Sequence, residues 1–227
     1  MIRNNWILAL ALLVSSASFA QKTQSELNPK DPKAKEILDA LSNKASTFKS
    51  FKADFEYTLE NKAENIKETQ KGNVTMMGKD KYILNVAGQE VVSNGVTVWT
   101  FIDDVKELQI ANMPEESEED GNMMNPANAF HMYKTGFNYM YEGKAMVDGK
   151  SVDVVKMFPI NPDKKRFHTI IVNVETANKE LVSMIVKSKD GNMYTYRLKN
   201  FQSNINITPA AFEFDESRAD EIIDLRD

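Results

Sequence analysis

No cysteine occurs in the 227 residues. That absence excludes a disulfide framework and all thiol chemistry, so the apolar core alone must hold the fold. Histidine is nearly as scarce, with His131 and His168 the only two. HExxH, CxxC and a nucleophile elbow are also missing from the sequence, so metal-assisted and acyl-transfer chemistry lose their usual signatures. An enzyme needs groups that transfer protons, attack or hold a metal. Each histidine here reads as a packing or surface residue. No catalytic residue, metal ligand or cofactor is assigned, and the weight moves from catalysis to binding.

Positive charge is not concentrated anywhere, and the formal net charge is −5. Phosphate backbones are bound by clustered Lys and Arg, so nucleic acid is not an expected partner. The run Glu115, Glu116, Glu118, Glu119 and Asp120 lacks the alternating ligands and central glycine of a Ca²⁺ loop, and reads as a solvated loop. Beyond residue 20 no apolar run approaches the roughly 20 residues that span a bilayer. No Gly- or Pro-rich linker divides the chain.

The first twenty residues have the grammar of a secretory leader. Arg3 gives a positive start, Ile7 to Val14 form a short apolar run, and Ser18-Phe19-Ala20 places small residues where a signal peptidase reads them. Cleavage after Ala20 is expected, leaving 21–227 as one exported domain. With 42% hydrophobic and 27% charged residues the chain has material for an ordinary globular core. Twelve methionines supply flexible side chains that fill core gaps or meet varied apolar ligands.

A helix is expected from Asp31 to Phe48. Asp31 can cap it, Pro32 suits its first position, and Ala34, Ile37, Leu38, Leu41, Ala45 and Phe48 form one apolar stripe. At Phe51 the period changes to two, with Phe51, Ala53, Phe55, Tyr57 and Leu59 alternating against charged or polar neighbours. Similar strands follow around Met76, Tyr82 to Val86, Val91-Val92, Val96 to Phe101, Leu108 to Ala111, Phe137 to Tyr141, Val152 to Phe158, Phe167 to Val174, Leu181 to Lys187 and Met193 to Leu198. Ile222-Ile223 adds a candidate edge strand. Turns are marked by Asn94-Gly95, Asp148-Gly149 and Asp190-Gly191. A short second helix is expected over 125–134, starting at Asn125-Pro126. About ten or eleven strands joined by short turns describe a mainly β protein, a single curved antiparallel sheet. Two helices are too few to fill it, so either it closes tightly or a cavity remains.

Several segments resemble the periplasmic outer-membrane lipoprotein carrier (LolA) family. They are Ser46-Thr47-Phe48-Lys49-Ser50-Phe51-Lys52-Ala53-Asp54-Phe55, the strand pair Gly72 to Val86, and the hairpin Val92-Ser93-Asn94-Gly95-Val96-Thr97-Val98-Trp99-Thr100-Phe101. The proline-containing segment Asn125 to Tyr133 and the closing Thr208-Pro209-Ala210-Ala211-Phe212-Glu213-Phe214 complete the likeness. The resemblance implies an unclosed β-barrel whose helices cover a concave, acyl-binding cavity. It implies a monomeric periplasmic carrier that takes acylated lipoproteins, or lipid, from an inner-membrane ABC transporter to an outer-membrane acceptor or the membrane. A carrier of another lipid or glycolipid, or a lipid-sensing regulatory module, fits the same residues.

Alternation and the resemblance together nominate Phe55, Tyr57, Met76, Leu84, Trp99, Phe101, Phe130 and Ile171 as cavity lining, with Leu38 and Leu41 from the helix. In related carriers an arginine in the turn between strands two and three bonds the lid. Here Gly78-Lys79-Asp80 occupies that turn, with Lys79 as its cation, and Tyr82 follows at the expected cavity mouth.

Overall fold

The computed structural model describes residues 30–113 and 130–226. The leader, the polar tail after it, the acidic run and Asn125-Pro126 lie outside the described residues.

Helix α1 spans Pro32–Ser46. Its start follows from local chemistry: the Asp31 carboxylate accepts from the backbone N–H of Lys33 at 2.7 Å and of Ala34 at 3.3 Å, satisfying donors that the first turn leaves orphaned. From Ser50 onward the period of two takes over. Twelve strands follow: β1 (Ser50–Asn61), β2 (Ile66–Met77), β3 (Lys81–Val86), β4 (Gln89–Asn94), β5 (Thr97–Ile102), β6 (Glu107–Asn112), β7 (Phe137–Val147), β8 (Lys150–Pro159), β9 (Phe167–Glu175), β10 (Leu181–Ser188), β11 (Met193–Ser203) and β12 (Glu221–Asp224).

All twelve belong to one sheet in the order β12-β6-β5-β4-β3-β2-β1-β11-β10-β9-β8-β7. The order runs from end to end without returning on itself, so the barrel is unclosed. Turn chemistry sets the register. Asp148 and Gly149 both adopt positive φ, the backbone of a tight hairpin turn whose twist matches its strands, and Val147 pairs directly with Lys150 across it. Asn94 holds its own turn, its side-chain oxygen accepting from the N–H of Val96 and of Thr97, each at 2.9 Å.

The sheet curls around α1. Tyr82 on β3, Val155 on β8 and Ile170 on β9 lie far apart in strand order, yet they share one cluster of buried side chains with Ile37, Leu38 and Leu41. Register shifts on β1, β7 and β10 supply the local kinks that let long strands bend.

Two expectations are corrected here. The segment expected as a second helix contributes, over its described part, only a 3-10 turn at Met132–Lys134. Gly136, at φ +77°, then turns the chain into β7. The sheet is also not wholly antiparallel, because β12 pairs with β6 in parallel. The chain reaches that edge by crossing the outside of the sheet after β11. On the way Phe214 covers a second, smaller core of Val92, Trp99, Phe101, Leu108 and Ile110.

Candidate functional site

The inner face of the sheet is set by register. Tyr141, Val155, Val172, Met184, Tyr196 and Tyr57 are paired in succession across β7, β8, β9, β10, β11 and β1. Directly opposed residues point to the same side, so these six form a continuous apolar row on one face. The α1 stripe lies against that face.

Under the helix, Leu38, Leu41, Met76 and Phe130 are buried in the main core. Phe55 and Leu84 are partly buried at its margin. Tyr57 is half-buried beside Tyr194 and Tyr196, with ring centroids 6.1 and 5.3 Å away. Burial pushes the Tyr196 hydroxyl up to about 12, reinforced by the neighbouring Tyr57 and Tyr194. Such surroundings resist charge and suit an apolar guest.

Gly72 is part of this surface. It sits opposite Phe55 on β1, and a Cβ there would come within 2.6 Å of the Phe55 ring. The missing side chain is the space in which the ring lies.

The lid is held by polar contacts. Asp39 of α1 accepts from the Tyr133 hydroxyl at 2.7 Å and from the Lys35 ammonium at 2.6 Å, and these two bonds lower its pKa, that of Lys35 most. Buried Ser42 lies 2.7 Å from His131 Nδ1. Burial lowers the His131 pKa, and the cations Lys134 and Lys79 act in the same direction. Lys79, in the β2–β3 turn, thus faces the segment that braces the lid. Asp31 ties the other end of the helix to β7. Its N–H donates to the Tyr139 carbonyl at 3.0 Å, and its carboxylate accepts from the Tyr141 N–H at 3.1 Å.

Four nominated residues sit elsewhere. Trp99 and Phe101 lie on the outer face in the smaller core. Trp99 is 6% exposed, and its indole N–H donates to Glu216 at 3.3 Å. Ile171 alternates with Ile170 and Val172, which take the inner side, so it faces outward beside Lys156 and Ile185. The physical cause is the period of two: a choice wrong by one residue puts the set on the wrong face. Tyr82, expected at an exposed mouth, is 6% exposed in the main core and directly opposite Met76. Alternation on β3 gives it to the helix-covered side.

Sequence reasoning missed Tyr194 and Tyr196, which continued alternation along β11 would have found. It also missed Ser42 and Asp39, whose partners are distant in the chain and carry no local signal.

A narrow cleft of about 10 Å³ opens between the last turn of α1 and the β9–β10 turn. Its walls include Leu41, Phe48, Phe130, Leu198 and Phe201, with Lys44, Lys179 and Glu180 also lining it. Lys44 and Glu180 pair across the gap at 3.5 Å. A larger hollow of about 420 Å³ near the β3–β4 turn is lined mainly by polar groups such as Lys71, Asn73, Asn85, Glu90 and Arg218. No helix among the described residues is long and apolar enough to cross a membrane.

The family described as outer membrane lipoprotein carrier protein LolA matches residues 46–215. Among curated proteins none matches the sequence. Solved structures share the fold, among them the following two. An uncharacterized conserved protein from Thermus thermophilus has TM-score 0.52 at 12% identity, over 85% of this chain and 99% of that one. LprF from Mycobacterium bovis has TM-score 0.50 at 18% identity, over 80% of this chain and 98% of that one.

Proposed function

The chain belongs to the family of the outer membrane lipoprotein carrier protein LolA, and from that premise we propose that it shelters acyl chains on its inner face and ferries acylated lipoproteins between membranes. The observation that supports this reading best is the incompletely covered inner face. Phe55, Tyr57, Leu84, Tyr194, Tyr196 and Leu198 are each only partly buried, although an apolar surface facing water is costly unless something is meant to cover it.

The mechanism is one of equilibria. Each CH₂ removed from water is worth about 0.8 kcal/mol, so an acyl chain crossing an aqueous compartment needs a shelter of similar apolarity. The half-buried aromatics offer area, and Met76, Met132 and Met184 offer side chains that adapt to guests of different shape. Helix α1 fills the trough in this structure and must shift or be displaced when cargo enters. Its braces are hydrogen bonds and a half-exposed ion pair, which can exchange partners more readily than a jigsaw-packed apolar contact. No covalent step is required, and no residue is assigned a catalytic role.

The setting that fits is the periplasm, with the leader cleaved after Ala20. An inner-membrane ABC lipoprotein-release transporter would be the donor, and an outer-membrane protein or the membrane itself the receiver. A second reading, a carrier for another lipid on the same fold, is favoured by Lys44 and Lys179 at the cleft. The deciding experiment is native mass spectrometry of the protein purified gently from the exported fraction. A bound acylated lipoprotein supports the first reading and a free lipid the second. An empty protein in stable complex with a membrane protein would overturn both in favour of a regulatory module.

A further inference from the structure

The cleft beside the last turn of α1 does not resemble a storage space. Its volume of about 10 Å³ has room for about one water molecule, far too little for a long acyl chain. It does resemble an opening. Leu41 and Phe130 line it and also belong to the buried core under the helix, so the wall of the cleft is the outer wall of that core. Phe130 packs edge-on against Phe51 at 6.0 Å, and Phe201 packs against both Phe48 and Phe51 at 5.2 and 5.3 Å. An aromatic path therefore leads from solvent to the inner face.

Charge at this opening is paired, Lys44 with Glu180 and Lys179 with Asp153. The Lys44–Glu180 pair bridges α1 and the β9–β10 turn with side chains 40% and 30% exposed, and Lys179 reaches inward to within 3.9 Å of the buried Asp153 carboxylate. Separating the turn from the helix breaks one solvent-screened ion pair, a contact of small strength. A ligand carrying its own anion can restore it.

We propose that this cleft is the entrance for cargo, and that the molecule it admits is a single acyl chain with an anionic head, a carboxylate or phosphate, which takes the place of Glu180 on Lys44. The inference rests on the second reading, an acyl carrier for a lipid other than a lipoprotein, and narrows the chemical class of that guest. Exchange of one anion for another at Lys44 lets the gate open without leaving a cation unpaired. The apolar tail meanwhile passes Phe48 and Phe201 toward the core.

The test uses the chain lacking its leader and two probes, a fluorescent long-chain fatty acid and its methyl ester, followed by stopped-flow fluorescence. Lys44→Glu is expected to slow association of the acid by about five-fold or more while changing the ester by less than about two-fold, because rim charges act on association rates. Glu180→Gln is expected to speed the acid and leave the ester unchanged. Equal effects on acid and ester, or none on either, would overturn the anionic head. Because the chain has no cysteine, the double variant Lys44→Cys, Glu180→Cys can be bridged by a short bis-maleimide, with singly capped thiols as the control. Bridging is expected to abolish uptake of both probes. Uptake by the bridged protein at the control rate would place the entrance elsewhere. Failure of both probes to bind the unaltered chain would instead overturn the acyl-carrier reading itself.

Discussion

At position 72 a methyl group would collide with the Asn85 carbonyl oxygen and stand 2.6 Å from the Phe55 ring. The oxygen belongs to the backbone of a paired strand and has little room to yield. Gly72→Ala is expected to cost about 1–3 kcal/mol, read as a lower urea midpoint with an unchanged slope, and to shift Phe55 on the inner face. Tyr82 gives the opposite kind of test, because its hydroxyl is raised by burial. Tyr82→Glu must bury a charge or a protonated acid in the main core, and a loss of about 2–4 kcal/mol is expected in chemical denaturation. Tyr82→Phe, which keeps the ring, is expected to stay close to the parent. His131 gives a pH dependence. Its folded pKa is lowered from 6.5, chiefly by burial, so the unfolded chain takes up a proton before the folded one does. The contribution of the neutral imidazole is complete above pH 6.5 and is lost as pH falls from there toward the lowered value. His131→Gln should flatten that part of the curve of stability against pH, measured by thermal melting between about pH 7.5 and 5.

Among the elements, the segment after β11 is the least obvious in the sequence and the easiest to test. Phe214 closes the outer core over Phe101, their rings 5.2 Å apart, and Arg218 lies 4.8 and 4.6 Å from the centres of the two rings while pairing with Glu90 at 2.7 Å. In the chain without residues 1–20, Trp99 is the sole tryptophan. Its emission is expected to be blue, as befits a buried indole, and to ignore added acyl ligand, since it faces away from the helix. Ending the chain at Asn204 should move that emission to the red and lower the melting temperature by several degrees. An unchanged spectrum in the shortened chain would mean that the strap does not shield Trp99. Strand existence was legible from alternation and turn residues alone, down to the edge strand at Ile222-Ile223. Which face each strand turns inward was not, because on β4–β6 the segment after β11 covers the outer face, and that face carries the large apolar side chains. Alternation marks a buried face only where the opposite face meets water, as it does at Asp54 and Lys52 on β1. The same ambiguity misplaced Trp99, Phe101 and Ile171. Leu38, Leu41 and Met76 stood clear of it, because a helical stripe or a one-sided strand leaves a single choice.

For the whole molecule, the curved single sheet and its covering helix were readable from the switch of period at Phe51, while the 3-10 turn at Met132–Lys134 was not, since so short a segment carries no period of its own. The two outer strands of the array, β12 and β7, have no further strand beyond them among the described residues. In a closed cylinder the number of strands and their stagger fix the radius, and changing it means breaking a ladder of backbone bonds. An array with an unjoined seam has no such fixed girth. It can widen by small bends spread over twelve strands while every ladder stays intact, much as a split collar springs over shafts of different diameter. Capacity then becomes a continuous property of the sheet, set by how far its rims can part, and one protein can grip a slim guest or a bulky one with the same wall.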